Sequence, residues 1–167
     1  MSKTYKSGSQ AICIIGVGNE YRSDDGVGLL VARKLKKANI PGTTVLELSG
    51  EGGGLMESWE GANVVVIVDA VSSGAPLGTT YCFDARSEAI PSGFFHYSTH
   101  AFSVAESIEL AKILGKMPER CLLYGIEGRN FGMGTGVAPA LRKAADKIVA
   151  EIRRNIASLV APEVLSV

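Results

Sequence analysis

The run Val64-Val65-Val66-Ile67-Val68, entered through Asn63 and closed by Asp69, constrains the fold of this chain more than any other stretch. Unbroken β-branched sequence favours an extended strand. It also lacks the polar alternation of a half-exposed strand, so both faces need cover, as in a parallel sheet with helices on either side. The rest of the chain repeats the theme. Residues 11–17 read as a second buried strand, 43–48 and 121–126 as further strands, and 79–83 as a weaker strand at an edge. Helical spacing follows Val27 (Val27, Leu30, Val31, Lys34, Leu35), a short helix is expected around 55–60, and Thr99 is placed to cap a helix ending at Gly115. A long amphipathic helix carries Val137, Leu141, Ala144, Ile148, Ile152 and Ile156 on one face. Strands alternating with helices predict an α/β fold, a three-layer sandwich with a mostly parallel sheet. The length of 167 residues suits one domain over 1–167. Residues 1–10 and 161–167 are expected to be flexible tails.

Bulk charge excludes some functions. Basic and acidic residues balance at 17 each, which argues against a nucleic-acid partner. The local run Arg33, Lys34, Lys36, Lys37 reads as the solvated face of a helix. Cys13, Cys82 and Cys121 have no C-x-x-C spacing and sit among apolar or aromatic neighbours, so all are expected to be buried, reduced thiols of a cytosolic protein. The polar N-terminus lacks the apolar core of a signal peptide, and no apolar run reaches the ~20 residues of a membrane helix. A cytoplasmic protein with no membrane partner is expected.

The first strand runs into a glycine loop, Gly16 to Gly28, and the loop into a helix. Such loops usually cradle phosphate on helix N–H groups. This one carries Glu20, Asp24 and Asp25, which would repel a phosphate and suit a cation. Asp24 or Asp25 is also placed to cap the helix that follows. Ligands of open parallel sheets bind beyond the carboxyl ends of the strands, where the strand order reverses. Asp69 ends the most buried strand and is expected at the same edge, where an uncompensated carboxylate is costly. The two histidines are His96, in an aromatic setting that suggests packing, and His100, the candidate nitrogen ligand at the mouth of a predicted helix. No H-E-x-x-H, G-x-S-x-G or G-x-x-x-x-G-K-[ST] occurs, and Tyr21 stands where a dinucleotide fingerprint needs its third glycine. Glu47, at the end of the second strand, is the residue that keeps a ribose-binding reading open.

Gly18-Asn19, then Asp24-Asp25-Gly26-Val27-Gly28, then Asp69 after an apolar strand, then Ser98-Thr99-His100 resembles the hydrogenase maturation proteases, over most of the chain from about residue 12. The resemblance implies a twisted sheet of about five strands between helices. It implies a cytoplasmic endopeptidase that trims the C-terminal extension of a nickel-iron hydrogenase large-subunit precursor. It implies that Asp25, Asp69 and His100 bind metal, the nickel being supplied by the precursor, with no organic cofactor. Gly18, Asn19 and Glu51 are expected to contact substrate. No residue is assigned as catalytic acid, base or nucleophile. Two departures stand out. The loop after the second strand reads Ser49-Gly50-Glu51-Gly52-Gly53-Gly54, with the family's acid moved or lost, and Glu20 and Arg22 replace residues that are commonly apolar. A non-catalytic nickel-binding assembly factor using the same site is the alternative reading.

Overall fold

Strands β1 (Ile12–Val17), β2 (Thr43–Leu48), β3 (Val64–Val71), β4 (Thr80–Asp84) and β5 (Arg120–Glu127) form one sheet in the order β2-β1-β3-β5-β4. The structure is a computed structural model that describes residues 11–49, 54–91, 93–95 and 103–160. Every pairing is parallel except β4 on β5, which places the antiparallel strand at an edge, as its weaker sequence signal suggested. Helices α1 (Val27–Ala38), α2 (Leu55–Ser58), α3 (Val104–Ile113) and α4 (Pro139–Val160) complete the α/β sandwich.

Strand alternation divides the interior in two. Ile12, Ile14, Val64, Val66, Val68 and Ala70 pack with α1 and α4 residues such as Val31, Leu35, Leu141 and Ile148. Cys13, Ile15, Val17, Val65, Ile67 and Val71 pack with Leu55, Trp59, Val104 and Ile108 of the opposite layer. Each fully buried Val or Ile contributes about 1.5–3 kcal/mol relative to exposure, so β3, buried along its whole length, is the centre of both cores.

Local chemistry moves some boundaries. β3 continues two residues past Asp69, because Asp69, Ala70 and Val71 still pair with Gly125, Ile126 and Glu127 of β5. Its pairing with β1 ends at Gly16–Val68, so Asp69 is the first β3 residue with no neighbour on that side. The helix expected from Thr99 begins at Val104. Ser103 caps it: its Oγ accepts from Glu106 N at 3.3 Å and its N–H donates to Glu106 Oε2 at 3.1 Å, a reciprocal box. Thr99 itself lies outside the described residues. The last helix starts at Pro139 rather than near Val137, since proline suits a first turn whose N–H groups have no helical partner.

Glycines of the first loop serve packing. A Cβ at Gly28 would collide with the carbonyl oxygens of Val17 and Val68, and one at Gly16 with Gly28 O and Ala32 Cβ. These positions let the first turn of α1 lie directly on β1 and β3.

Candidate functional site at the carboxyl edge of the sheet

The chain goes from β1 outward to β2 on one side and then returns to β3 on the other. The order therefore reverses between β1 and β3, and their carboxyl ends form the crevice in which such sheets bind ligands. Asp25 follows β1 in a 3-10 turn (Ser23–Gly26), and Asp69 lies where β1 leaves β3.

The first loop is held by a second glycine loop. Arg22 forms a parallel bridge with Gly134. Ser23 N donates to Gly134 O at 2.9 Å, Gly134 N to Tyr21 O at 3.0 Å, and Asp24 N to Asn130 O at 2.9 Å. Ser23 Oγ donates to Gly132 O at 2.9 Å. Ser23 adopts φ 54°, a left-handed conformation unfavourable for a non-glycine residue, and these bonds hold it there.

The loop's three carboxylates have different fates. Glu20 pairs with Arg33 at 3.1 Å, and Glu47 with the same guanidinium at 2.8 Å. Glu20 is thus turned to α1, and Glu47 is engaged as a partner of Arg33. Asp24 is buried, with Oδ2 accepting from Arg129 N and Asn130 N, both at 2.9 Å, and Oδ1 from Ala138 N at 3.0 Å. It does not cap α1, and backbone N–H groups of residues 129–138 occupy three of its acceptor sites. Asp25 is not the cap either: α1 has Gly26 at its N-cap and no side-chain bond there. Asp25 Oδ2 accepts from Asn19 N at 3.0 Å.

Asp25 and Asp69 stand apart from Asp24. Burial raises the Asp25 pKa, opposed by the Asn19 N–H and the Arg22 charge. Burial raises Asp69 well above the carboxylate range, the Asp25 charge raises it further, and the Ala70 N–H, donating to Oδ1 at 2.8 Å, opposes this. Each carboxyl thus receives one N–H bond from the described residues while repelling the other. Such a pair is costly when both are ionised and favourable around a cation.

His100, His96 and Glu51 lie outside the described residues. Among the described residues no group of three His, Cys, Asp or Glu side chains converges on one point. Gly18 is buried at the base of the loop, with φ 152°, and a Cβ there would collide with Asp25 O. Its N–H donates to Leu48 O at 3.0 Å. Asn19 is exposed beside Asp25, with Oδ1 accepting from Tyr21 N at 2.9 Å.

One buried acid was not anticipated. Glu127 ends β5 and accepts from Ser73 N at 2.9 Å, Ser73 Oγ at 2.7 Å and Gly74 N at 3.0 Å, pinning the loop after β3. Its signal, an acid closing an apolar strand, is the one that marked Asp69. The cysteines divide. Cys13 and Cys121 are buried, but Cys82 is exposed, because β4 is an edge strand with an open outer face. Burial pushes the Cys121 thiol up to about 12, so it is not activated as a nucleophile.

Residues 29–155 match the family described as hydrogenase maturation protease. The hydrogenase expression/formation protein HupD of Thiocapsa roseopersicina is 30% identical over 120 residues, 70% of this chain and 53% of that protein, so the match spans about half of HupD's length. The hydrogenase 2 maturation protease of Escherichia coli is 26% identical over 153 residues, 86% of this chain and 92% of that protein. In structure, the [NiFe] hydrogenase maturation protease HycI from Thermococcus kodakarensis superposes with a TM-score of 0.64 at 25% identity, covering 89% of this chain and 93% of that one. The maturating endopeptidase HybD from E. coli shares the fold with a TM-score of 0.66 at 20% identity, covering 86% and 93%.

Proposed function

The chain belongs to the hydrogenase maturation protease family, and from that premise we propose that it is the endopeptidase that removes the C-terminal extension of a nickel-iron hydrogenase large-subunit precursor. Asp25, Asp69 and His100 are the residues that would take the nickel already inserted in that precursor. The observation that carries this reading is the pair at the β1–β3 switch point: two carboxyls held back from water, each with a single N–H donor from the described residues. Oxygen ligands with one imidazole suit a divalent transition metal, and three protein ligands leave positions for the substrate's own groups. His100 stands three residues before Ser103, the cap of α3, and α3 packs in the layer that receives Ile67 and Val71 of β3.

On this reading the enzyme's residues bind and orient the precursor through its nickel, so that only a loaded precursor is held for cutting. Hydrolysis adds one water across the scissile C–N bond, the carbonyl carbon gaining the hydroxyl and the departing nitrogen the proton. No helix of the described residues is long and apolar enough to cross a membrane.

The test is the intact mass of nickel-loaded and nickel-free precursor, incubated with and without the protein. Loss of one defined C-terminal peptide from the loaded sample alone is expected. Binding of the precursor without any mass change would favour the nickel-binding assembly factor instead.

A further inference from the structure

The four large apolar side chains most exposed among the described residues fall in two places. Ile113 and Leu114 end α3, on the side from which the chain enters β5. Tyr21, 62% exposed, and Met133, 85% exposed, lie on the two joined glycine loops beside the site. The Arg22–Gly134 bridge and the bond from Gly134 N to Tyr21 O make residues 21 and 133 neighbours across the join. A single exposed apolar residue is ordinary, whereas adjacent ones at a site edge mark a contact surface.

Two features make this rim a prepared surface. It is rigidly seated, because Asp24 binds the second loop through three backbone N–H groups, so little order is lost when a partner docks. It is also wired to the site: Tyr21 N donates to Asn19 Oδ1, and Asn19 N to Asp25 Oδ2. A groove of about 500 Å³ adjoins it, running past Glu20, Ser23, Thr135 and Gly136 to Arg142. The groove's acids are already paired, Glu20 with Arg33 and Asp146 with Lys34 at 2.7 Å. Arg142, exposed in the first turn of α4, has no ion pair among the described residues. The surface thus offers an apolar rim followed by a cation.

We propose that Tyr21 and Met133 form the docking rim for the C-terminal extension of the precursor, with an apolar side chain of the extension between them and a carboxylate of the extension facing Arg142. This rests on the reading of the chain as the processing endopeptidase. Tyrosine supplies a large, stiff contact and methionine an adaptable one, a combination suited to a peptide that must enter and leave.

The test compares the full-length protein with its Tyr21→Ser/Met133→Ser variant on nickel-loaded precursor. Both side chains are exposed, so an unchanged urea midpoint is expected. KM is expected to rise tenfold or more with kcat within twofold, and an unchanged KM overturns the proposal. A synthetic peptide of the extension should inhibit the variant at least tenfold less well than the wild type, and equal inhibition overturns it. Arg142→Gln should raise KM about threefold at low salt, with the difference shrinking at high salt. If the wild type binds precursor without cutting it, the processing reading fails, and the tenfold weakening must then appear in Kd for the rim to stand. Absence of both binding and cutting overturns both. A wild-type dimer in size-exclusion chromatography that the double variant dissolves would assign the rim to a second copy and overturn the proposal.

Discussion

The join between the two glycine loops and the crevice between β1 and β3 are built from consecutive residues, Asp24 and Asp25, yet their chemistry is opposite. At the join, the Asp24 carboxylate is buried and accepts three backbone N–H bonds. Glu127, two strands away in the sheet order from β1, is saturated in the same way by Ser73 and Gly74. In the crevice, Asp25 and Asp69 receive one N–H each, and each carboxyl is raised by burial. Burial of an acid alone therefore does not mark a reactive site. The number of donors aimed at it separates a structural staple from a carboxyl that keeps acceptor capacity for another partner.

The comparison can be broken most sharply in the crevice. Asp25→Asn and Asp69→Asn are each expected to lower precursor cleavage by about a hundred- to a thousandfold, the range lost with one key polar group in other enzymes. Neither should lower the urea midpoint at neutral pH. Normal turnover by either variant in the intact-mass assay would remove that residue from the site.

At the join the effect should fall on stability. Asp24→Ala removes the buried acceptor of three backbone N–H bonds, those of Arg129, Asn130 and Ala138, and is expected to cost about 3–5 kcal/mol, a large part of a typical domain's margin. Urea denaturation measures it, and a cost under about 1 kcal/mol would mean that water replaces the carboxylate and the staple is dispensable.

A pH series sharpens the contrast. Asp69 has a folded pKa above its unfolded value, so its contribution to stability is fully present below the unfolded pKa, near pH 3.8, and is lost as pH rises through the folded value. The metal-free wild type should therefore lose stability relative to Asp69→Asn as pH rises from about 4 toward neutrality. Divalent-metal affinity should climb over the same interval, since metal and proton compete for the carboxyl. Parallel stability curves for the two proteins would show that Asp69 titrates normally. The smallest effect belongs to the exposed cluster: Arg33→Ala should change stability by less than about 1 kcal/mol despite two ion pairs, because solvent screens them.

Much of this was legible from residue order. The Val64–Val68 run required a sheet covered on both faces, since an unbroken apolar strand has no side to give to water, and β3 sits at its centre. A glycine loop filled with acids pointed away from phosphate, and an acid closing a buried strand marked Asp69. The same rule applied to Glu127 would have found a second buried acid. Order along the chain could not assign the three loop carboxylates their separate roles. Glu20, Asp24 and Asp25 have the same kind of ionisable group, and what separates them is contacts with Arg33, with backbone of residues 129–138 and with the β3 edge, all distant in sequence. Hydrogen-bond donors act over about 3 Å, so only the tertiary arrangement, which brings residue 24 to residue 138 and residue 25 near residue 69, decides which acid is tied into the fold and which keeps free acceptor capacity.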